Sequence, residues 1–301
     1  MSNQESRRDI LKLMGVGGVV FASGIAGAAP SKKKSATNAE FFFLQLSDTH
    51  WGYAGVSNPK ADVPLKTAIA TINATSINAT SVRPDFIVFT GDLTHTTDDG
   101  AVRRKRMTEF RELASGLAVK PLHLIPGEHD AGPDEGRAYQ ELFGPTHHAF
   151  DHKGVHFVAL DNVSRPGGEV GSEQIEWLAA DLKKVARDAP VVVFAHRPLF
   201  DLYPEWDWAT KDGAKVIDVL LPHKHVTVFY GHIHREHHHQ TEHIAHHAAR
   251  SLVFPLPAPG SVPKKAPLPW NPQAPFDGLG YRRVDTSPAG GEAHLTELPP
   301  A

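Results

Sequence analysis

The side chains of this 301-residue chain that could do chemistry fall in short clusters, each just after an apolar run. Asp48 and His50 come after residues 41–46, Asp92 after 86–90, and Glu128, His129 and Asp130 after 122–125. His196 follows residues 191–195, and His232 with His234 follows 226–230. A metal site without thiolates is built from imidazole and carboxylate, and the chain has no cysteine but 20 histidines. Taken singly, an Asp after a strand is a turn or cap residue and a lone His a surface or core residue. Five such clusters in order are not explained by capping. Glycines directly before Asp92, Glu128 and His232 let the backbone turn sharply and approach a cation or a phosphate. In the pairs Asp48/His50 and His232/His234, residues two apart leave a strand end on the same side. One ion takes about four to six donors, fewer than this set offers, so the donors suit two ions sharing one carboxylate. Asp92, alone in its loop and central in order, is the natural bridge.

These residues need elements to hold them. The apolar runs, with residues 156–160 added, are four to six residues long, rich in Val, Ile, Phe and Leu, and bounded by Gly, Pro or Asp, which predicts buried strands. Between them, residues 65–72, 107–117 and 172–182 carry helical spacing, the last with Ser172 as a cap and early acidic residues. Strands alternating with helices predict an α/β architecture, in which ligands bind at the carboxyl ends of the strands. Prolines recur through residues 252–275, predicting an extended segment along the surface, and residues 278–284 read as a last strand. No internal repeat or composition break marks a second domain.

The series L-S-D-T-H, T-G-D-L-T, G-E-H-D, F-A-H and G-H-I-H resembles the calcineurin-like metallophosphoesterases, whose usual pattern is D-x-H, G-D, G-N-H-D/E, H and G-H-x-H. The resemblance covers roughly residues 41–284. Asp161-Asn162 with Gly171, Gln174 and Trp177 is similar to the class III cyclic-nucleotide and glycerophosphodiester phosphodiesterase branch. The resemblance implies a two-sheet β-sandwich flanked by helices. It implies one metal held by Asp48, His50, Asp92 and His234, and a second by Asp92, Glu128, His196 and His232. Iron is implied at the first site and iron, zinc or manganese at the second. The implied reaction is hydrolysis of a small phosphate ester by a metal-bridging hydroxide, with His129 stabilising the phosphoryl oxygens or protonating the leaving group. For Asp130 two readings stand: it holds the His129 imidazole in one tautomer, or it stabilises the turn.

Glu128 departs from the pattern, which has a neutral Asn there. With the hydroxide, Asp48, Asp92 and Glu128 balance two divalent ions, whereas Asn would leave the centre one unit more positive. A less positive centre binds a phosphate dianion less well, lowers the acidity of bound water and suits a harder or trivalent ion. The other reading turns Glu128 away into a salt bridge, leaving the second metal weak or absent. The rival function is a metal-binding or redox protein on the same scaffold, with hydrolysis weakened or lost through Glu128.

Arg7-Arg8 leads into an apolar, Gly-rich run and a small-residue site near Ala28, which resembles a cleavable twin-arginine export signal over residues 1–28. The apolar run is short for a span of roughly 20 residues, so no stable membrane anchor is expected after cleavage. The expected organisation is a signal at 1–28, a linker at 29–40 and one catalytic domain at 41–301, delivered by the twin-arginine machinery to the periplasm or exterior. Removing residues 1–28 takes three basic and two acidic residues, moving the formal charge from −3 to −4, so bulk charge excludes a nucleic-acid binder.

Three features stay open. The tract 235–247 is a metal-buffering stretch or, as its alternation favours, two strands with histidines on exposed faces. The aromatic loop 197–208 is a substrate wall or a set of packing anchors. His95 is a candidate outer contact of the site.

Overall fold

The computed structural model describes residues 40–78, 83–286 and 292–301. Alternation along the apolar runs sorts side chains into layers. In β1 (Phe42–Leu46), Phe43 points to one buried layer, and Leu44 and Leu46 point to another. In β6 (Pro190–Phe194), Val192 and Phe194 face the layer that holds Phe43, while Val191 and Val193 face a third. A strand covered on both faces needs apolar residues at every position, which is why these runs lack the polar alternation of a surface strand.

Two mixed sheets result. The first runs β11-β10-β1-β2-β3, with β2 at Ile87–Thr90, β3 at Leu122–Ile125, β10 at Tyr281–Asp285 and β11 at His294–Leu298. The second runs β4-β5-β6-β7-β9-β8, from β4 (His148–His152) and β5 (Val155–Ala159) through β7 (His225–Tyr230) to β9 (Ile244–Ala248) and β8 (His237–Thr241). The centres, β1-β2-β3 and β5-β6-β7-β9, are parallel, and antiparallel strands close the edges. Between the sheets lies an aromatic layer in which Phe43 stacks on Phe86 at 4.8 Å and meets Phe157, Phe194 and Phe229 edge-on. Truncating a buried Phe in such a layer to Ala costs about 3–5 kcal/mol.

Helices α1 (Asp62–Asn78) and α2 (Gly100–Ser115) belong to the core on the outer face of the first sheet, and α5 (Ser172–Leu182) and α6 (Gly213–Leu220) to that of the second. The short helices α3 (Glu128–Ala131) and α4 (Arg137–Phe143) follow β3. The expected two-sheet sandwich flanked by helices is therefore the observed fold. The six strands read from apolar runs each lie within one residue of their expected place. The Ser cap on α5 is not observed: Gly171, at φ 83°, occupies the cap position, and Ser172 is the first helical residue. The expected signal at 1–28, and the linker at 29–40 except for Glu40, lie outside the described residues. No helix among the described residues is long and apolar enough to cross a membrane.

Parallel pairing has one consequence for function. The carboxyl ends of β1, β2 and β3 come to one rim and those of β6 and β7 to the facing rim, so the loops after them meet. The backbone N–H of His232, after β7, donates to the Asp48 carboxylate, after β1, at 3.1 Å.

Candidate metal centre

Five residues at this rim hold backbone conformations that side-chain-bearing residues rarely adopt: Asp48 (φ 52°), His50 (φ 41°), Asp92 (φ 49°), His232 (φ 66°) and His234 (φ 51°). Left-handed backbone at a non-glycine position is strained, and it persists where the surroundings over-determine it. Two glycines permit the crowding. A Cβ on Gly127 would lie 2.0 Å from Asp92 Oδ1, and one on Gly91 would lie 2.2 Å from His196 Nδ1.

The side chains gather into two donor sets, Asp48/His50/Asp92/His234 and Glu128/His196/His232. In the first, His50 Nε2 is 3.1 Å from His234 Nε2, and His234 Nε2 is 3.4 Å from Asp48 Oδ1. In the second, Glu128 Oε2 is 2.8 Å from His196 Nε2, and Glu128 Oε1 is 2.9 Å from His232 Nδ1. Asp92 lies between them, its Oδ2 3.3 Å from His50 Nε2 and 3.5 Å from His196 Nε2.

Two observations show that these donors fit cations. Glu128 Oε2, His196 Nε2 and His232 Nδ1 are buried without a hydrogen-bond partner, although Glu128 Oε2 lies 2.8 Å from His196 Nε2 and His232 Nδ1 lies 2.9 Å from Glu128 Oε1. Their contacts lack hydrogen-bond alignment, as expected when lone pairs aim at a shared point. The second observation concerns the far nitrogens of the same rings. His196 Nδ1 donates to Thr90 O at 2.7 Å, His234 Nδ1 to Phe254 O at 2.8 Å, and His232 Nε2 to Asp207 O at 3.1 Å. A proton held on the outer nitrogen leaves the inner one free to ligate. The Nδ1 of His50 lies 3.2 Å from the Nδ1 of His95, a contact between ring nitrogens that fits the same arrangement. Imidazole and carboxylate without thiolate suit iron, zinc or manganese.

Burial pushes the Asp48 carboxyl up to about 8 and the His234 imidazole down to about 3, and it holds His50 well below its usual range. Burial also opposes ionisation of Glu128, but the imidazoles of His232 and His196 prevail and hold its carboxyl well below the usual range. His196 is held above its ordinary value: burial acts against its charge, and Asp92 and Glu128 outweigh that.

His129 stands at the mouth of the centre. Its Nδ1 accepts the Thr96 N–H at 3.1 Å, which places the proton of the neutral ring on Nε2, 4.0 Å from Asp92 Oδ2. The tautomer reading of Asp130 is corrected by this contact. Asp130 does not reach the imidazole; its oxygens accept Leu93 N–H (2.9 Å), Thr94 N–H (2.8 Å), Thr94 O–H (2.8 Å) and Gly127 N–H (3.0 Å). It clamps the Asp92 loop to the Glu128 turn, so it shapes the site from beneath. Glu128 faces its neighbours His196 and His232, not a distant salt bridge.

Sequence reasoning missed the carbonyls that set the tautomers, because any residue supplies one. It also missed Phe254, whose ring lies 5.8 Å from that of His50 and 4.8 Å from that of His234. In the aromatic loop, Trp206 and Trp208 are buried packing anchors. The tract 235–247 does form β8 and β9, but His246 and His247, on opposite faces of β9, are both buried, contrary to the expectation of exposure.

The calcineurin-like phosphoesterase family profile matches residues 43–236. Among curated proteins, one from Rhodococcus erythropolis named "Probable cyclic nucleotide phosphodiesterase" is 28% identical over 207 residues, covering 64% of each chain. A "Probable glycerophosphodiester phosphodiesterase" from Arcobacter nitrofigilis is 28% identical over 163 residues, 52% of this chain and 56% of that one. The chain thus spans less than two thirds of the length of both relatives. The 3',5'-cyclic adenosine monophosphate phosphodiesterase of Escherichia coli is 27% identical over 213 residues, 67% of this chain and 72% of that one. Among solved structures, a dimetal phosphatase from Danio rerio superposes with a TM-score of 0.62 at 12% identity, covering 86% of this chain and 99% of that one. A purple acid phosphatase from yellow lupin reaches 0.65 at 12% identity, covering 88% and 52%. At such identity these structures speak to fold.

Proposed function

The chain belongs to the calcineurin-like phosphoesterase family, and from that premise we propose that it is a dinuclear-metal hydrolase of small phosphate esters. The observation that carries this reading is Asp92 Oδ2 standing between the two donor sets, 3.3 Å from His50 Nε2 and 3.5 Å from His196 Nε2. Iron at the Asp48/His50 site, with iron, zinc or manganese at the Glu128 site, is the proposed content. Ions held by Asp48, His50, Asp92 and His234 and by Asp92, Glu128, His196 and His232 would supply a nucleophile at neutral pH and Lewis-acid stabilisation of a displacement at phosphorus.

The chain's own groups do the rest. Asp48, Asp92 and Glu128 set the charge of the centre, and the outer hydrogen bonds of His196, His232 and His234 hold the inner nitrogens bare. His129, with its proton on Nε2, is the proton donor to a phosphoryl or leaving-group oxygen. Asp130 holds the two loops in register so that His129 and Asp92 keep their spacing. Glu128 makes the centre one unit less positive than Asn would, which favours monoanionic diesters over dianionic monoesters. This agrees with the diesterase names of the relatives. The twin-arginine-like N-terminus supports action outside the cytoplasm, because that route carries folded proteins and allows metal loading before export.

A screen of bis(4-nitrophenyl) phosphate, 4-nitrophenyl phosphate, cyclic nucleotides and glycerophosphodiesters, with iron, zinc and manganese, tests the reading. Turnover that a chelator removes and added metal restores supports it. Tight metal retention without turnover on any ester under any metal points instead to a metal-binding or redox role.

A further inference from the structure

The Pro-rich stretch after β9 contains Ser261-Val262-Pro263-Lys264-Lys265-Ala266-Pro267, two adjacent lysines between prolines that restrict the backbone. The two lysines differ in their surroundings. Lys265 Nζ donates to the carbonyl of Trp206 at 2.9 Å. One peptide further on, the carbonyl of Asp207 takes the Nε2 proton of His232 at 3.1 Å, and the opposite nitrogen of that ring faces Glu128 Oε1 at 2.9 Å. These contacts set the ammonium against the segment that braces the outer nitrogen of His232, the ring whose inner nitrogen faces Glu128.

The cation is also unspent. Among the described residues no carboxylate lies within ion-pair distance of Lys265, and Trp206 O occupies one of its three donors. Arg197, the other cation here, is paired with Asp207. Lys265 keeps solvent access, as a group that meets an incoming anion must. Partial burial lowers its pKa, and the carboxylates of Glu128, Asp207 and Asp92 pull the other way, so the ammonium lies within the field of the centre.

We propose that Lys265 is a substrate-recognition residue: its ammonium contacts a non-bridging oxygen of the phosphate group on the Glu128 side and returns the unit of positive charge that Glu128 removes. The proposal rests on the phosphate-ester reading above. It explains how a centre with three carboxylates still attracts an anion. The two free donors of Lys265 suit a phosphoryl oxygen, and its place on a separate segment lets it act without altering the metal ligands.

The test uses the metal-loaded full chain and four proteins: wild type, Lys265→Gln, Lys265→Arg and, as control, Lys264→Gln. Inorganic phosphate binding is measured by calorimetry, and bis(4-nitrophenyl) phosphate turnover in parallel. Lys265→Gln removes the charge and Lys265→Arg keeps it, and either change alters the fit of a purely structural pin to the Trp206 carbonyl, so only a charge role separates the two variants. The expected result is at least about tenfold weaker phosphate binding and a similarly raised KM in Lys265→Gln. kcat and metal stoichiometry should stay close to wild type, Lys265→Arg should keep most of the affinity, and Lys264→Gln should be silent. Undetectable phosphate binding by wild type, affinity within twofold in Lys265→Gln, or an equal loss in Lys264→Gln overturns the proposal. If phosphate affinity depends on Lys265 but wild type hydrolyses no ester, the recognition role stands and the hydrolytic reading falls. If esters are hydrolysed with no Lys265 dependence, the reverse holds.

Discussion

The sandwich rim gathers the imidazoles of His50, His129, His196, His232 and His234 around the carboxylates of Asp48, Asp92 and Glu128. The β8–β9 hairpin carries a similar number, His237, His238, His239, His246 and His247, but of its neighbouring carboxylates Glu236 meets only His238 and is already paired with Arg250, and Glu242 lies in the exposed turn. At the rim the inner nitrogens converge in sets of three or four donors, and the outer ones are tied to acceptors. On the hairpin, His238 and His247 meet through their Nδ1 atoms at 2.8 Å, His239 stacks on Phe200 at 3.8 Å, and no three-donor set forms among the described residues. Histidine density is therefore not what makes a site. Interleaved carboxylates, fixed tautomers and left-handed backbone at Asp48, His50, Asp92, His232 and His234 themselves distinguish the rim.

That contrast is open to attack from both sides, and the rim should give the largest response. Asp92→Asn removes the charge shared by both donor sets, so diesterase kcat should fall by roughly 10³-fold or more, with loss of metal. Residual activity within tenfold of wild type would remove Asp92 from the bridging role. Glu128→Asn should shift the centre without emptying it. The monoester-to-diester ratio of kcat/KM should rise by at least about tenfold, and the pH optimum should move down. An unchanged ratio, pH optimum and metal stoichiometry would defeat the charge argument.

The hairpin should respond in stability instead. His246 is fully buried with both ring nitrogens unpartnered, and burial pushes its pKa down from 6.5 to about 3. Between those values the unfolded chain binds a proton that the folded chain refuses, so stability rises with pH there and is lost as pH falls. The loss is up to about 1.4 kcal/mol per pH unit for this one group. Denaturant titrations at pH 7 and pH 4.5 should show the acid loss shrinking by about 2 kcal/mol in His246→Leu, with diesterase activity unchanged. An acid loss identical to wild type would mean another group carries it. The smallest effect belongs to His238→Ala, on an exposed face, where stability should stay within about 0.5 kcal/mol and metal content should not change. A drop in bound metal there would make the hairpin a second store.

The contrast also shows what the sequence could and could not disclose. The strands that carry the site were legible because they are covered on both faces and so are continuously apolar. Strands β4 and β11, at sheet edges, mix polar and apolar residues and left no such trace. The seven residues that the structure gathers at the rim, Asp48, His50, Asp92, Glu128, His196, His232 and His234, were legible from type and order, since each sits where a parallel strand ends. The orienting partners were not: Thr90, Phe254 and Asp207 act through backbone carbonyls, which carry no sequence signal. Asp130 misled because adjacency to His129 in sequence is not adjacency in space: the α3 turn sends one side chain outward and the other into the Asp92 loop. The histidines of β9 misled because alternation predicts two faces but not which face a neighbouring loop will cover.

If two cations share Asp92, with Glu128 among the ligands of the second, metal content depends on both carboxylates. Elemental analysis of the chain purified from its native compartment, set beside Asp92→Asn and Glu128→Asn, tests it most directly. The expected result is two transition-metal ions per wild-type chain, loss of metal in Asp92→Asn, and a second site in Glu128→Asn that stays filled but more weakly held. One ion per wild-type chain, or a stoichiometry indifferent to Asp92, would contradict it.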